Sequence, residues 1–338
     1  MRKIPVEEAV GAVLPHDMTK IVPGQFKGVG FKKGHIIRDE DIVELKKIGK
    51  NFIYVLDLPE GRLHEDDAAL RIARAISGGN IEWTLPSEGK STLLSQINGL
   101  LKIETGCLLE INRLEHIAVS TIRTMTPVRA GQILAATRVI PLTIDESGIR
   151  QVEQISQGAS VLQVVPFRTL KVGAVVTGTE VYQGLIDDGF DDHVGSKIER
   201  YGSDLTKKIV VPDDAGAIAD AVSQLLESGC ELVLTTGGLS VDPDDVTPSG
   251  IRQSGATVIN YGSPVFPGAM VLYAEHGGVP ILGLPACVYY ARTTILDILL
   301  PRILAGEEIG PDTFARMGHG GLCRECETCH FPNCGFGS

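Results

Sequence analysis

Between Thr235 and Pro248 the chain reads TTGGLSVDPDDVTP, placing hydroxyls, paired glycines and three carboxylates directly after the apolar run Leu232-Val233-Leu234. Gly237 and Gly238 remove side chains, so main-chain amides, with Thr235, Thr236 and Ser240 beside them, can close on an anion. Asp242, Asp244 and Asp245 are hard oxygen donors of the kind that suits Mg²⁺. Thr247 and Pro248 are expected at the cap and first turn of the next helix. The combination suits an anion and a hard cation held together. The competing reading is an ordinary strand-to-helix connection closed by an Asp or Thr cap. A nucleotide P-loop is excluded, because the chain has no G-x-x-x-x-G-K-S/T, and no G-x-G-x-x-G follows a strand.

A second constellation lies in the last sixteen residues, where Cys323, Cys326, Cys329 and Cys334 are spaced C-x2-C-x2-C-x4-C. Thiols at this density in a reducing compartment are more often metal ligands than disulfides. The spacing is close to the bacterial ferredoxin run C-x2-C-x2-C-x3-C-P. Four thiolates also satisfy tetrahedral Zn²⁺. An iron–sulfur cluster and Zn²⁺ both stay open, beside a redox-sensitive tail without metal. Cys107, Cys230 and Cys287 stand singly in apolar segments and read as small buried hydrophobes.

The elements that must position the first constellation begin near residue 168. There TLKVGAVVTG, DLTKKIVV, CELVLTTG, ATVINYG and GVPILGLP read as strands. HVGSKIERYG, AGAIADAVSQLLESG, a segment opened by Pro248 and VYYARTTILDILLPRILAG read as helices. Such alternation predicts an α/β domain, a mostly parallel sheet flanked by helices, with ligands bound beyond the carboxyl ends of the strands. Two more loops fall at those ends: VVTGTEVYQG, with Thr177, Gly178 and Glu180, and VVPDDAG, where Asp213 or Asp214 is placed to cap the following helix.

Ahead of it a smaller α+β and β-rich part is expected. Residues 1–60 form a small unit with turns at Gly34 and Gly49, a short strand at Ile36-Ile37, a helix over RDEDIVELKKIG capped by Asp39 or Asp41, and a strand over NFIYVL. LHEDDAALRIARAISGG and TLLSQINGLLKI follow as helices, and residues 101–140 as a strand-dominated insert. The expected division is 1–60, 61–167, 168–308 and a cysteine-rich 309–338.

With 43% apolar and 22% charged residues the composition is that of a globular protein. No apolar stretch reaches membrane-spanning length. The N-terminus carries Glu7 and Glu8 where a secretory apolar region would lie, so a cytoplasmic location is expected. A net charge of -11 with scattered basic residues argues against a nucleic-acid or anionic-membrane surface.

VLTTGGLSVDPDDVTP resembles the signature of the molybdenum-cofactor biosynthesis domain shared by molybdopterin adenylyltransferases and molybdopterin molybdotransferases. Gly237, Gly238, Pro243, Asp245, Val246, Thr247 and Pro248 match it, whereas Leu239, Ser240 and Asp244 depart from it. VVPDD matches the family's P-D-D segment at Asp213 and Asp214, and VVTGTEV its T-G-D-E-L at Thr177, Gly178 and Glu180. FPGAM and ILGLPACVYYA are similar to its P-G-K-P and G-L-P-G-N-P loops at Pro267, Gly268, Gly283 and Pro285, with Ala269 where the family has Lys and Ala286-Cys287-Val288 in place of G-N-P. GHIIRDEDIVELKKIGKNFIYV looks like a module that molybdotransferases also carry.

The resemblance implies a pocket for molybdopterin or its adenylylated form, its phosphate on the Gly237-Gly238 loop. It implies Asp245 acting with Mg²⁺, and Asp213 and Glu180 as further carboxylates. Metal insertion from molybdate or tungstate, or adenylyl transfer, would be the activity. A non-catalytic carrier or sensor, working with a molybdoenzyme or another cofactor-assembly protein, is the alternative. A homo-oligomer is implied by resemblance alone.

Overall fold

In the computed structural model, every residue is described except Met1, Pro23, Leu56, Asp57, Pro59, Ala159 and Ser338. The chain divides into two units, one of residues 1–96, 103–122 and 130–164, the other of 97–102, 123–129 and 165–338.

Runs of Val, Leu and Ala with no polar alternation mark strands covered on both faces, and they build the sheet of the second unit. Its strands are β1 (Lys171–Thr177), β2 (Asp204–Val211), β3 (Leu232–Thr236), β4 (Thr257–Tyr261), β5 (Leu272–His276) and β6 (Val279–Leu284). Their order is β2-β1-β3-β6-β5-β4. The first four run parallel, and β5 and β4 complete the sheet antiparallel, giving the mostly parallel α/β sheet expected from the alternation. Helices α1 (Thr179–Tyr182), α2 (Ser196–Arg200), α3 (Ala215–Glu227), α4 (Thr247–Gln253), α5 (Ile295–Leu304) and α6 (Pro311–Arg316) fill the connections.

Successive strand residues point to opposite faces. Val175, Val233 and Ile281 pack with Ile218, Val222 and Ile251 of α3 and α4. Ala174, Leu234 and Leu282 pack with Ile198, Ile295 and Leu299 of α2 and α5.

Three details of this unit depart from the sequence reading. Strand β5 was not anticipated. VYYARTTILDILLPRILAG is divided: a 3-10 turn over Ala286–Tyr289 precedes α5. Thr294 starts that helix with a capping box, its Oγ1 accepting from Leu296 N at 3.2 Å while Asp297 Oδ2 accepts from Thr294 N at 2.8 Å. HVGSKIERYG holds a π-helical turn at Asp191–Gly195 before α2.

In the first unit the strand Arg2–Pro5 pairs antiparallel with Phe52–Val55, and the expected helix stands at Asp41–Lys47. Its N-cap is Glu40, without a side-chain bond. Asp41 Oδ2 instead accepts from Arg38 N at 2.9 Å and pairs with His35 Nε2 at 2.7 Å. Ile36 makes a single bridge to Val13 rather than a strand. The helix Glu65–Ile76 is present, but TLLSQINGLLKI is no helix: it holds the strands Lys90–Ser95 and Gly99–Ile103. Conversely, a helix at Thr105–Asn112 stands inside the segment read as strand-rich, ahead of strands Ile117–Thr121 and Ile133–Val139, while Gly99–Lys102 and the strand Thr126–Val128 fall in the second unit. Among the described residues no helix is long and apolar enough to cross a membrane.

Glu65 is buried at the start of its helix. Burial, then the neighbouring Asp66 carboxylate, pushes it from 4.5 up to about 7. Between those values the folded chain keeps a proton that the unfolded chain has lost, so stability falls as pH rises through that window. Stability relative to high pH is fully present below the lower value and lost above the upper. Glu65→Gln should therefore stabilise by up to about 3 kcal/mol above neutrality and change little in acid. Urea midpoints measured across that range decide it, and identical pH slopes in variant and parent would refute it.

Candidate functional site

The carboxyl end of β3 delivers Thr236 and then Gly237 (φ +90°) and Gly238 (φ +58°). Three hydroxyl residues hold this loop from behind. Thr177 Oγ1 donates to the Thr236 carbonyl at 3.0 Å, and Thr247 Oγ1 donates to the Gly237 carbonyl at 2.9 Å. Tyr289 donates to Thr236 Oγ1 at 2.7 Å. Thr247 thus braces the loop, and the N-cap of α4 is Val246 rather than Thr247. Thr235 is fully buried, and its Oγ1 has no hydrogen-bond partner among the described residues.

In front of the loop lies a cavity of about 490 Å³. Gly237, Gly238, Ser240 and Asp245 line it from β3 and its loop; Pro267, Gly268 and Pro285 line it from the two later loops. Four segments far apart in sequence that were singled out as ligand loops therefore meet at two points: the β3, 267–268 and 285 segments share the cavity, and the β1 segment braces it through Thr177. Asp242 joins the wall, tied to Asp245 by Asp242 N donating to Asp245 Oδ2 at 2.9 Å and Asp245 N to the Asp242 carbonyl at 3.0 Å. That reciprocal pair closes the turn and fixes the Asp245 carboxylate.

Other expected site residues stand elsewhere. Gly283 lies within β6, paired with Thr235. Asp213 Oδ2 accepts from Thr179 N at 2.8 Å and from Thr179 Oγ1 at 3.1 Å, joining the β1 and β2 loops. Asp214 caps α3, accepting from Ala217 N at 2.8 Å. Gly178 and the exposed Glu180 open α1. None of Gly178, Glu180, Asp213 and Gly283 is among the residues lining the cavity.

The wall also holds residues the sequence reading did not place at the site: Leu239, Phe266, Met270, Cys287 and Tyr290. Most stand beside a motif residue that was, which is the signal that could have found them. Burial raises the Cys287 thiol above its ordinary value, so it stays protonated and is a poor nucleophile near neutrality. Tyr261 donates to the Leu239 carbonyl at 2.8 Å. Burial, then the Asp245 charge, holds its phenol above the ordinary range, so that donor persists. Backbone amides, two carboxylates and an apolar wall suit a ligand with an anionic end and a flat body.

Cys323, Cys326, Cys329 and Cys334 all line a second cavity, of about 860 Å³, to which Pro267 and Tyr290 also belong. Among the described residues no three His, Cys, Asp or Glu side chains meet closely enough to hold a metal ion. The expected metal centre is thus not assembled as a point.

Residues 173–305 match the family model described as a probable molybdopterin binding domain, and residues 3–57 match a domain of unknown function. A molybdopterin molybdenumtransferase of Synechococcus elongatus is 29% identical over 147 residues, covering 40% of this chain and 36% of that protein. A CinA-like protein of Amoebophilus asiaticus is 30% identical over 84 residues, 25% of this chain and 20% of that one. The chain therefore spans well under half the length of these relatives. Among solved structures, the molybdopterin biosynthesis enzyme MoaB of Thermus thermophilus is 20% identical, with 41% of this chain and 98% of that one covered and a TM-score of 0.35. Residues 173–305 belong to the molybdopterin-binding domain family of molybdenum cofactor biosynthesis.

Proposed function

We propose that the chain binds molybdopterin or its adenylylated form in the 490 Å³ cavity, the phosphate against the Gly237-Gly238 loop and the pterin against the wall of Leu239, Phe266 and Met270. The meeting of the β3 loop with the Pro267-Gly268 and Pro285 loops on one cavity carries this reading. Two carboxylates there, Asp242 and Asp245, are too few to cage a cation. They fit Mg²⁺, which is commonly held by one or two carboxylates together with ligand phosphate oxygens. Bound so, the ion would neutralise phosphate charge.

Holding the ligand is the role favoured over turning it over, because Asp213 is engaged by Thr179 and neither it nor Glu180 lines the cavity. As a carrier the protein would pass the cofactor to a molybdoenzyme or another assembly protein. As an enzyme it would insert molybdate or tungstate, or transfer adenylate. Calorimetric titration with molybdopterin, with and without Mg²⁺, tests the site. Mg²⁺ should tighten binding roughly tenfold, about 1.4 kcal/mol, and Asp245→Ala should remove that gain and abolish any Mg²⁺-dependent turnover. A full Mg²⁺ effect in the variant would sink the assignment of Asp245.

A further inference from the structure

The last sixteen residues lie beyond the matched stretch, which ends at residue 305, and they are built into the second unit. Phe336 is buried in its core and meets Phe331 edge to face at 6.1 Å. Cys323 N donates to the Phe266 carbonyl at 2.8 Å. Arg123 Nη1 donates to the Gly335 carbonyl at 3.3 Å, and Arg292 Nη1 to that of Glu327. The four cysteines thus lie on loops anchored at both ends.

We propose that Cys323, Cys326, Cys329 and Cys334 hold an iron–sulfur cluster of the four-iron type in the 860 Å³ cavity they line. Two observations carry this beyond the spacing. A four-iron cluster takes one thiolate on each of its four irons, and all four of these cysteines line the one cavity. Thr293 Oγ1 lies 3.1 Å from Cys329 Sγ, a hydrogen bond to a ligand sulfur of the kind that tunes such centres. Arg292 and Arg324 stand in the same wall, together with Glu325 and Glu327. Pro267 and Tyr290 stand in both cavities, so the cluster lies one side chain away from the pterin cavity.

The full chain, purified without oxygen, would be reconstituted with sulfide and equal parts ferrous and ferric iron. This mixture has the mean oxidation state of the oxidised cluster, so no further oxidant is needed, and each thiol releases its proton to solvent as its sulfur binds iron. The expected result is about four irons and about four sulfides per chain, with sulfur-to-iron charge-transfer absorbance in the visible. Cys326→Ser and Cys329→Ser should cut the iron content by more than half, and Cys107→Ser should leave it unchanged. Uptake of one zinc in place of iron, no stable metal at all, or full iron content in both tail variants would each overturn the proposal. Should a tail variant fail to fold, the metal and sulfide count of the parent chain decides alone. The test involves no pterin, so the cluster and the ligand reading stand or fall separately.

Discussion

Gly237→Val should abolish molybdopterin binding and destabilise the second unit by about 3 kcal/mol or more. At φ +90° an L side chain is already strained, by about 1–2 kcal/mol. Space forbids it more firmly. A Cβ at this position would stand 2.4 Å from the Thr177 carbonyl oxygen and 2.5 Å from Thr177 Oγ1. That carbonyl is main chain at the end of a central strand and cannot rotate aside, so β1 and β3 must part or the loop must leave its cavity. Gly277→Ala provides the comparison, since its φ is +57° but no atom lies within 4 Å of an added Cβ. It should show the strain alone. Urea midpoints and ligand titration measure both, and a Gly237→Val protein as stable as Gly277→Ala would refute the overlap argument.

Asp297→Ala should cost about 3–5 kcal/mol, because it leaves a buried ammonium without its partner. Lys197 Nζ donates to Asp297 Oδ2 at 2.6 Å and to the Arg292 carbonyl at 3.3 Å. The two side chains keep only 10% and 6% of their surface exposed. The same carboxylate accepts from Thr294 N in the capping box of α5, whose loss adds about 1 kcal/mol. Lys197→Met combined with Asp297→Leu should recover most of the loss, since an apolar pair of similar volume removes both desolvation penalties. A double-mutant cycle in urea separates these contributions. A single Asp297→Ala cost under about 1 kcal/mol would show that water reaches the pair.

The parallel sheet was legible because its strands announce themselves: VGAVV and LVL are apolar without interruption, and each leads into a turn rich in Gly or Asp. The ligand loop was legible for the same reason, through its place after such a strand. What misled lay in short apolar runs whose partner surface is invisible in sequence. In TLLSQINGLLKI the leucines mimic a helical stripe, yet Asn98-Gly99 is a turn signal and Lys90–Ser95 buries every second residue. In CLLEIN the reverse happened, a helix whose apolar residues read as strand. For α5, Thr294-x-x-Asp297 ahead of an apolar run was a starting signal that went unused. The carboxylates show another gap. Asp213 and Asp245 look alike as loop acids, and only the hydrogen bonds distinguish one that fastens two loops from one at a cavity.

The second unit takes in residues 97–102 and 123–129. Thr126, Pro127 and Val128 pair antiparallel with Leu101, Leu100 and Gly99, and Lys102 forms an ion pair with Glu307 at 2.9 Å. No single cut in the gene can therefore lift the cofactor domain out intact. A fragment begun at residue 165 would lose two strands of a three-stranded sheet and the arginine that holds Gly335. During synthesis, too, these early segments must wait for more than half the chain to follow before their partners exist, a long loop closure that slows folding. Grafting or swapping this domain among proteins would have to carry both short segments with it.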